Sequence, residues 1–396
     1  MKSHFKARVK KASFALAAFT LAAALWLPCL HLFFRKPISD FYQENGVSPK
    51  ARQLAARHMQ LWTDPPLRRI EIQKMRASNA EWDFMGRTFL VWSLVNMGLR
   101  EPGMKEEYLP VIDQIIQETV EIEERDGIYA FLMPYAKARP YQVSPARSLF
   151  LDGEIALMMG ARRILQEKPA YRLPMTERLN LIGHRMRSNP LMAMESYPDE
   201  CWTFDAAVAL VAFKVADRLD GADHSALCQQ WVALARQKLV DKRTGLLLST
   251  YQIDGTPLYG PEGSTLWMAA HCLQAVDETF ARDQYDRARR ELGRITLGFG
   301  YGLEWPASWQ GPMDVDSGVV IPWLGVSAGS SGMAFLAASS FHDWDFLQAL
   351  AATLDMAAFP SRQNGRLRYC ASNQVGDAAL LYASVLGPLW ERIRKP

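Results

Sequence analysis

The sequence lacks the residue patterns that mark several common kinds of functional site. It contains no H-E-x-x-H motif and no Walker-type phosphate loop. Histidine is scarce, with seven in 396 residues, and the five cysteines show no C-x-x-C or Cys/His spacing. A zinc site is therefore not expected, and we predict neither a metal nor another cofactor. The cysteine positions do not select a disulfide pair.

The chain also lacks a strong excess of charge and any alternation of strands with helices. Its formal net charge is +3, part of which comes from the amino-terminal tail, and the body has no basic stripe with interleaved aromatic residues. Nucleic acid is therefore not an expected partner. The missing alternation excludes a Rossmann unit. The composition, 49% hydrophobic and 22% charged, is that of a globular protein with an ample core.

The amino terminus is predicted to be a membrane anchor. A basic tail over residues 1–11 precedes an uncharged apolar run over residues 12–34, which is long enough to span a bilayer. The basic flank predicts a cytoplasmic tail, a single pass through the inner membrane, and a body on the periplasmic or extracytoplasmic side. The alternative is a cleaved signal peptide, because Ala22–Ala24 resembles a small-residue cleavage site.

After a linker over residues 35–50, the apolar period is helical almost everywhere in residues 51–396. Two short strand-like pieces interrupt it, Leu246–Ile253 and Leu367–Cys370, and Asp254-Gly255 is a good hairpin turn. We interpret Gly298–Gly302 as a loop. The predicted helices cover roughly residues 50–62, 80–99, 104–124, 145–167, 175–187, 200–219, 223–240, 262–281, 283–298, 327–342, 343–358 and 374–393.

Twelve helices in one all-α body predict six α-hairpins closed into a ring, an (α/α)6 barrel or toroid preceded by one transmembrane helix. Such a ring leaves a funnel at one end, lined by loops and by the starts of the inner helices. An open α-solenoid or two bundles are the alternatives. The absence of a fixed-length repeat argues against a solenoid.

Acidic residues at the starts of predicted helices are the candidate chemistry. Glu154 follows Gly153 inside an otherwise apolar helix, and Asp205 lies about one turn into another. A carboxylate in such a place must be paired, protonated or exposed to a wet cleft. Glu262 opens a further helix, where a helix dipole alone would explain a glutamate. Asp314 and Asp316 form a closely spaced pair that could bind polar groups or simply cap a loop.

The segments from Pro198 to Leu219, Leu239 to Ser249 and Glu262 to Trp267 resemble the linalool dehydratase/isomerase family. The resemblance implies an (α/α)6 barrel and acid–base chemistry without a cofactor. Where that family has a cysteine pair, this chain has Ser196 and Asp205, and Glu154 stands where the family has a histidine. These replacements keep the capacity for proton transfer but make the pocket more acidic, which favours sugar hydroxyls or cationic transition states over a hydrocarbon.

We therefore predict a membrane-anchored acid/base enzyme that cleaves a glycosidic bond, by hydrolysis or elimination, in an envelope or exported glycan. Asp205 and Glu154 are the predicted pair, Glu262 is the reserve acid, and Asp314 and Asp316 are predicted to bind substrate. The alternatives are dehydration or isomerisation of a small terpenoid-like alcohol, and a non-catalytic glycan-binding domain. A homo-oligomer is compatible with the sequence. The predicted stacking walls are Trp82, Trp202, Tyr251 and Trp305.

Overall fold

The body of the chain is a double ring of helices. A computed structural model describes residues 2–313 and 317–394. The inner ring consists of α4 (Ala80–Arg100), α6 (Leu149–Leu165), α8 (Thr203–Asp220), α10 (Gly263–Leu273), α12 (Ala328–Ser340) and α14 (Gln374–Val385). The outer ring consists of α2 (Pro49–Thr63), α5 (Lys105–Asp126), α7 (Arg172–Ser188), α9 (Ser225–Lys238), α11 (Glu278–Glu291) and α13 (Trp344–Ala357).

The inner helices form a closed circle, which makes the body an (α/α)6 barrel as the helix count predicted. Each inner helix packs against the next along the chain, and α14 returns to pack against α4. Outer helices α5, α7, α11 and α13 each pack on the inner helix that precedes them, and α2 packs on α14. The fully buried Trp92, Phe213 and Trp267 show that the core lies between the two rings.

The two ends of the barrel are different. At one end, which we call the mouth, the starts of successive inner helices are tied together: Leu149 N donates to Glu195 O, Thr203 N to Ser249 O and Gly263 N to Glu304 O. At the opposite, closed end lies the short helix α15 (Pro388–Arg394). Its Leu389 N donates to Asn96 Oδ1 at 3.0 Å, and its Trp390 Nε1 donates to His271 O at 3.1 Å.

Three small sheets decorate the barrel. Strands β1 (Cys201–Trp202), β2 (Thr250–Tyr251) and β3 (Pro257–Tyr259) form one, and the expected turn at Asp254-Gly255 joins β2 to β3. The second has the order β4-β5-β7-β6, with all pairs antiparallel. Its strands are β4 (Gly293–Thr296), β5 (Phe299–Leu303), β6 (Val320–Ile321) and β7 (Val326–Ser327). The third pairs β8 (Pro360–Gln363) with β9 (Arg366–Tyr369), the second strand-like piece of the sequence.

Two local predictions are wrong for identifiable reasons. The predicted helices leave residues 63–79 uncovered, but α3 (Pro65–Ser78) begins at Pro65-Pro66, because proline is tolerated in a first turn and Asp64 caps Leu67 N at 3.1 Å. The segment 298–302 is not a loop but mostly strand β5. A Cβ at Gly300 would lie 2.6 Å from Leu350 N, so this strand packs on α13 only because the residue is glycine.

The amino-terminal segment forms one long exposed helix, α1 (Lys2–Trp26), which continues as a 3-10 helix over Leu27–Phe33. Residues Arg8–Phe33 have a mean hydropathy of 1.9 and the length to cross a membrane, a criterion that a signal sequence also meets. The predicted linker is not an independent spacer, because Phe41, Tyr42 and Val47 are buried in the barrel core. Arg100 holds this segment at the closed end by donating to Glu44 O at 2.6 Å and to Leu386 O at 2.7 Å.

Close packing of α6 predicts opposite effects for two glycine substitutions. A Cβ at Gly160 would lie 2.5 Å from Val215 Cγ1, whereas a Cβ at Gly332 in α12 meets nothing within 4 Å. We expect Gly160→Ala to lower the free energy of unfolding by about 1–3 kcal/mol through overpacking. Gly332→Ala should raise it by up to about 1 kcal/mol through helix propensity. Urea denaturation of the two variants measures both, and equal effects would contradict the described packing.

Candidate functional site

Two of the predicted acids, Glu154 and Asp205, lie on neighbouring helices at the mouth of the barrel. Glu154 lies in the second turn of α6 and Asp205 in the first turn of α8, and these two inner helices are neighbours in the ring. The side chains are almost completely buried, with 1% of Glu154 and 6% of Asp205 exposed. Since both residues lie near the starts of adjacent helices, the fold itself brings their carboxyl groups to the same region.

Burial and repulsion keep Glu154 protonated. Desolvation is the main cause that raises the pKa of Glu154 well above its ordinary value, and the negative charges of Asp205 and Glu81 raise it further. The hydroxyl of Thr88, on α4, donates to Glu154 Oε2 at 2.6 Å and offsets part of this shift. A pKa raised in this way favours the neutral, protonated carboxyl, which is the form that can donate a proton.

The environment of Asp205 is less extreme. Desolvation raises the pKa of Asp205 from 3.8 to about 7, and contact with the hydroxyl of Ser196 opposes the increase. Asp205 is therefore close to half ionised at neutral pH. Two carboxyls whose pKa values are separated in this way can take the two roles of an acid and a base.

Among the described residues, neither carboxyl forms an ion pair with lysine or arginine. The contrast with Asp152, two residues before Glu154, is direct. Asp152 is completely buried but is paired with Arg147 and with Arg178, the latter at 2.6 Å. Asp152 therefore has the structural role expected of a buried acid, whereas Glu154 and Asp205 remain uncompensated.

The structure adds an acid that the sequence did not single out. Glu81, in the first turn of α4, accepts a hydrogen bond from the hydroxyl of Tyr197, which itself accepts one from Met133 N at 2.9 Å. Glu81 also contributes to the raised pKa of Glu154. Sequence reasoning missed it because a glutamate in a first helical turn is ordinary and its partner Tyr197 is distant in sequence.

Glu262 lies at the mouth, directly before the start of α10. It is 4% exposed, and its backbone N donates to Ser249 Oγ at 2.9 Å. The neighbouring Glu304, which sequence reasoning missed, is completely buried and accepts from Ser264 Oγ at 2.5 Å. Glu304 joins the starts of α10 and α12 because Ser327 Oγ also donates to it.

The predicted aromatic walls divide into two groups. Trp82, Trp202 and Trp305 are half-buried. Trp82 lies in the first turn of α4, Trp202 directly precedes α8, and Trp305 follows Glu304, whose backbone O binds the start of α10. Trp202 stacks on Tyr259 with ring centroids 6.3 Å apart. Tyr251 does not fit the expected role, because only 1% of it is exposed and no face of its ring is open to a ligand. Asp314 and Asp316 lie outside the described residues.

The pattern Gly325–Gly329 matches G-x-S-x-G, a motif that the sequence analysis passed over. Its serine does not form a nucleophile elbow. Ser327 has an ordinary φ of −105°, is completely buried, and caps α12 by accepting from Ser330 N at 3.0 Å. A serine that is occupied in this way is a structural residue. Within the described part of the chain, no group of three or more His, Cys, Asp or Glu residues could hold a metal ion.

No protein-family model matches this sequence, and no curated protein matches it. The resemblance to the linalool dehydratase/isomerase family therefore finds no support there. Solved structures share the fold. A glycoside hydrolase of family 105 from C. acetobutylicum ATCC 824 has a TM-score of 0.50 at 12% identity, covering 84% of this chain and 99% of its own.

Two further solved structures are similar at lower scores. An inactive variant of the α-1,6-mannanase GH76A of Salegentibacter sp. HEL1_6, in complex with α-1,6-mannotetrose, has a TM-score of 0.49 at 12% identity, covering 78% of this chain and 89% of its own. A GH76 α-mannanase of Bacteroides thetaiotaomicron has a TM-score of 0.46 at 12% identity, covering 78% and 86%. At 12% identity, the likeness to the family-105 glycoside hydrolase shows the fold alone, a helical toroid.

The raised pKa of Asp205 predicts a pH-dependent effect on stability. Ionising a buried acid is harder in the folded state, so the free energy of unfolding should fall as pH rises from about 4 to about 7 and then level off. Asp205→Asn should remove this fall. At about 1.4 kcal/mol per pH unit of pKa shift, the variant should gain on the order of 4 kcal/mol at most in free energy of unfolding relative to the wild type at pH 8. Urea denaturation at pH 4.5 and 8 measures it.

The control for this prediction is Glu106→Gln on the surface of α5, where the side chain is 80% exposed. Its effect should be the same at both pH values. A pH-independent effect of Asp205→Asn, equal to that of the control, would show that Asp205 is not perturbed by burial.

Proposed function

We propose that this chain is a membrane-anchored enzyme that cleaves a glycosidic bond in an envelope or exported glycan, with Glu154 and Asp205 as its acid and base. The observation that carries the proposal is the meeting of two buried carboxyls, without a cationic partner among the described residues, at the mouth of an (α/α)6 barrel. Asp152, a buried acid of the same helix as Glu154, is neutralised by two arginines instead.

The unequal environments assign the roles. Glu154, held protonated by burial and by its acidic neighbours, donates its proton to the leaving glycosidic oxygen. Asp205, ionised in a large fraction of molecules at neutral pH, stabilises the positive charge that develops on the sugar ring and activates water or forms a bond to the sugar. In an elimination, the same carboxylate would remove a proton from carbon instead.

Polar atoms near the mouth fit a ligand that carries hydroxyl groups. Thr250 Oγ1 in β2 and Trp305 Nε1 are buried and lack a hydrogen-bond partner in the described part of the chain. Unsatisfied buried groups of this kind are unfavourable unless water or a ligand meets them. Trp82 and Trp202 offer half-buried rings at the same end, which suits the apolar faces of sugars.

The near-complete burial of the pair limits what can reach it. With 1% of Glu154 and 6% of Asp205 exposed, the opening is too narrow for the middle of a long chain. We infer that a terminal sugar enters the site, or that the loops around Glu195 and Ser249 move when substrate binds. The family-105 neighbour is named as a glycoside hydrolase, which agrees with a glycan substrate but does not assign one.

Activity assays on purified polysaccharides and oligosaccharides test the proposal. Glu154→Gln and Asp205→Asn should each lower kcat by about 10²-fold or more, because each removes one proton-transfer group. The matched control is Asp377→Asn: Asp377 also lies in the first turn of an inner helix with its pKa raised to about 7 by burial, but its Oδ2 accepts from Tyr369 N in β9 at 3.3 Å. Control-like activity in both site variants would contradict the assignment.

The wild-type pH profile gives a second, independent prediction. Activity should rise with pH through about 7, as Asp205 loses its proton, and should fall at higher pH, where Glu154 loses its own. Measurement of kcat/KM against pH locates both limbs for the free enzyme. A profile whose acidic limb lies near pH 4 would show that Asp205 is not the group whose ionisation controls the rate.

Closure of the site also favours a second candidate, dehydration or isomerisation of a small alcohol. A pair with so little exposure suits a compact substrate, and protonation of a hydroxyl by Glu154 with removal of a proton by Asp205 would balance the reaction. Conversion of linalool or geraniol by the wild type, lost in Glu154→Gln, would favour this reaction over glycan cleavage. Binding of oligosaccharides with no turnover of either class would favour a non-catalytic domain.

A further inference from the structure

The turn between β4 and β5 presents aliphatic side chains to solvent. Ile295 is 43% and Leu297 is 49% exposed, and Leu297 has a left-handed φ of +50° that directs the chain around the turn. Exposed aliphatic side chains at the tip of a hairpin gain nothing from the fold and are typical of surfaces that meet an apolar partner.

The end of the apolar amino-terminal helix lies against this turn. Phe299, the first residue of β5, meets the ring of His31 and the ring of Phe34, each with centroids 6.2 Å apart. Gly298 lies flush against His31, because a Cβ at this position would be 2.2 Å from His31 Cγ. The place where the apolar helix ends and the place where Ile295 and Leu297 are exposed are therefore the same part of the surface.

Basic residues lie beside the turn. Arg35 and Lys36 follow directly after the apolar segment whose His31 and Phe34 meet Phe299. Lys36 is 44% exposed and pairs with Asp355. Positive side chains around an apolar tip are the pattern expected where a protein meets anionic lipid headgroups.

We propose that the β4–β5 turn is a second membrane contact, in which Ile295 and Leu297 enter the interface of the lipid bilayer beside the end of the apolar helix. The occupant is a lipid surface because a helix of bilayer-spanning length, with none of its apolar window buried in the protein, ends at this turn. The inference rests on the part of the proposed function that keeps this helix as an anchor.

The contact fixes which way the barrel faces. Strand β5 runs from Phe299 at the membrane contact to Leu303, which precedes Glu304 at the mouth, and Val326 pairs with Leu303 at that far end. The four steps from Phe299 to Leu303 span about 13 Å, so the mouth lies at the end of β5 that is directed away from the proposed contact. Substrate therefore approaches from the aqueous side and is not drawn out of the membrane in which the enzyme is anchored.

Depth-dependent quenching in proteoliposomes tests the proposal with the full chain. An environment-sensitive fluorophore is attached to Leu297→Cys. To label this position alone, the exposed Cys29 and Cys370 are replaced by serine, and the buried Cys201, Cys228 and Cys272 are kept. The matched control is Trp323→Cys, because Trp323 is an equally apolar, fully exposed tip between β6 and β7, at the opposite end of β5. Ile295→Cys repeats the test if the first variant does not fold.

Nitroxide-labelled lipids should quench the label at Leu297→Cys at least about twofold more strongly than the label at Trp323→Cys, with a larger difference in vesicles containing anionic lipid. Equal quenching, or stronger quenching at the Trp323 position, would overturn the proposal. Intact mass of the cellular protein reports separately whether the apolar helix is retained. Activity on soluble glycans should be unchanged in these variants. The quenching result therefore tests the membrane contact, and the activity result tests the catalytic proposal separately.

Discussion

The candidate site depends on two buried carboxyl groups that have no cationic partner among the described residues. An isolated carboxylate is stable in such surroundings only if it is protonated or hydrogen-bonded, and a second carboxylate nearby makes ionisation of the first harder still. Burial raises the pKa of both Glu154 and Asp205, and the charge of Asp205 adds to the increase at Glu154. Asp152, on the same helix as Glu154, is compensated by Arg147 and Arg178.

The double ring of helices explains how residues distant in sequence come together. All inner helices start at the mouth, so each loop before an inner helix delivers its residues to one region. The closed end has the opposite task. There α15 and the segment held by Arg100 seal the barrel, with Leu386 O as a shared anchoring point.

Much of the fold could be predicted because a closed ring of amphipathic helices leaves a periodic pattern in the sequence. Glu154 and Asp205 were recognisable because an acid is unusual inside an apolar helix. The sequence could not reveal Glu81, since its place in the site comes from the hydroxyl of Tyr197, which lies far along the chain. Strand β5 was hidden by its glycines, because Gly300 is required by close contact with α13 and Gly302 by close contact with α12, and no local pattern records these contacts.

The most direct test of the central claim is infrared difference spectroscopy of the carboxyl groups at pH 7, comparing the wild type with Glu154→Gln. A protonated carboxyl absorbs apart from an ionised one, so the method reports the state of one side chain without any substrate. We predict that the wild type contains the band of a protonated carboxyl that is missing from the variant. Loss of an ionised-carboxylate band instead would show that Glu154 is charged at neutral pH and would contradict its role as the acid.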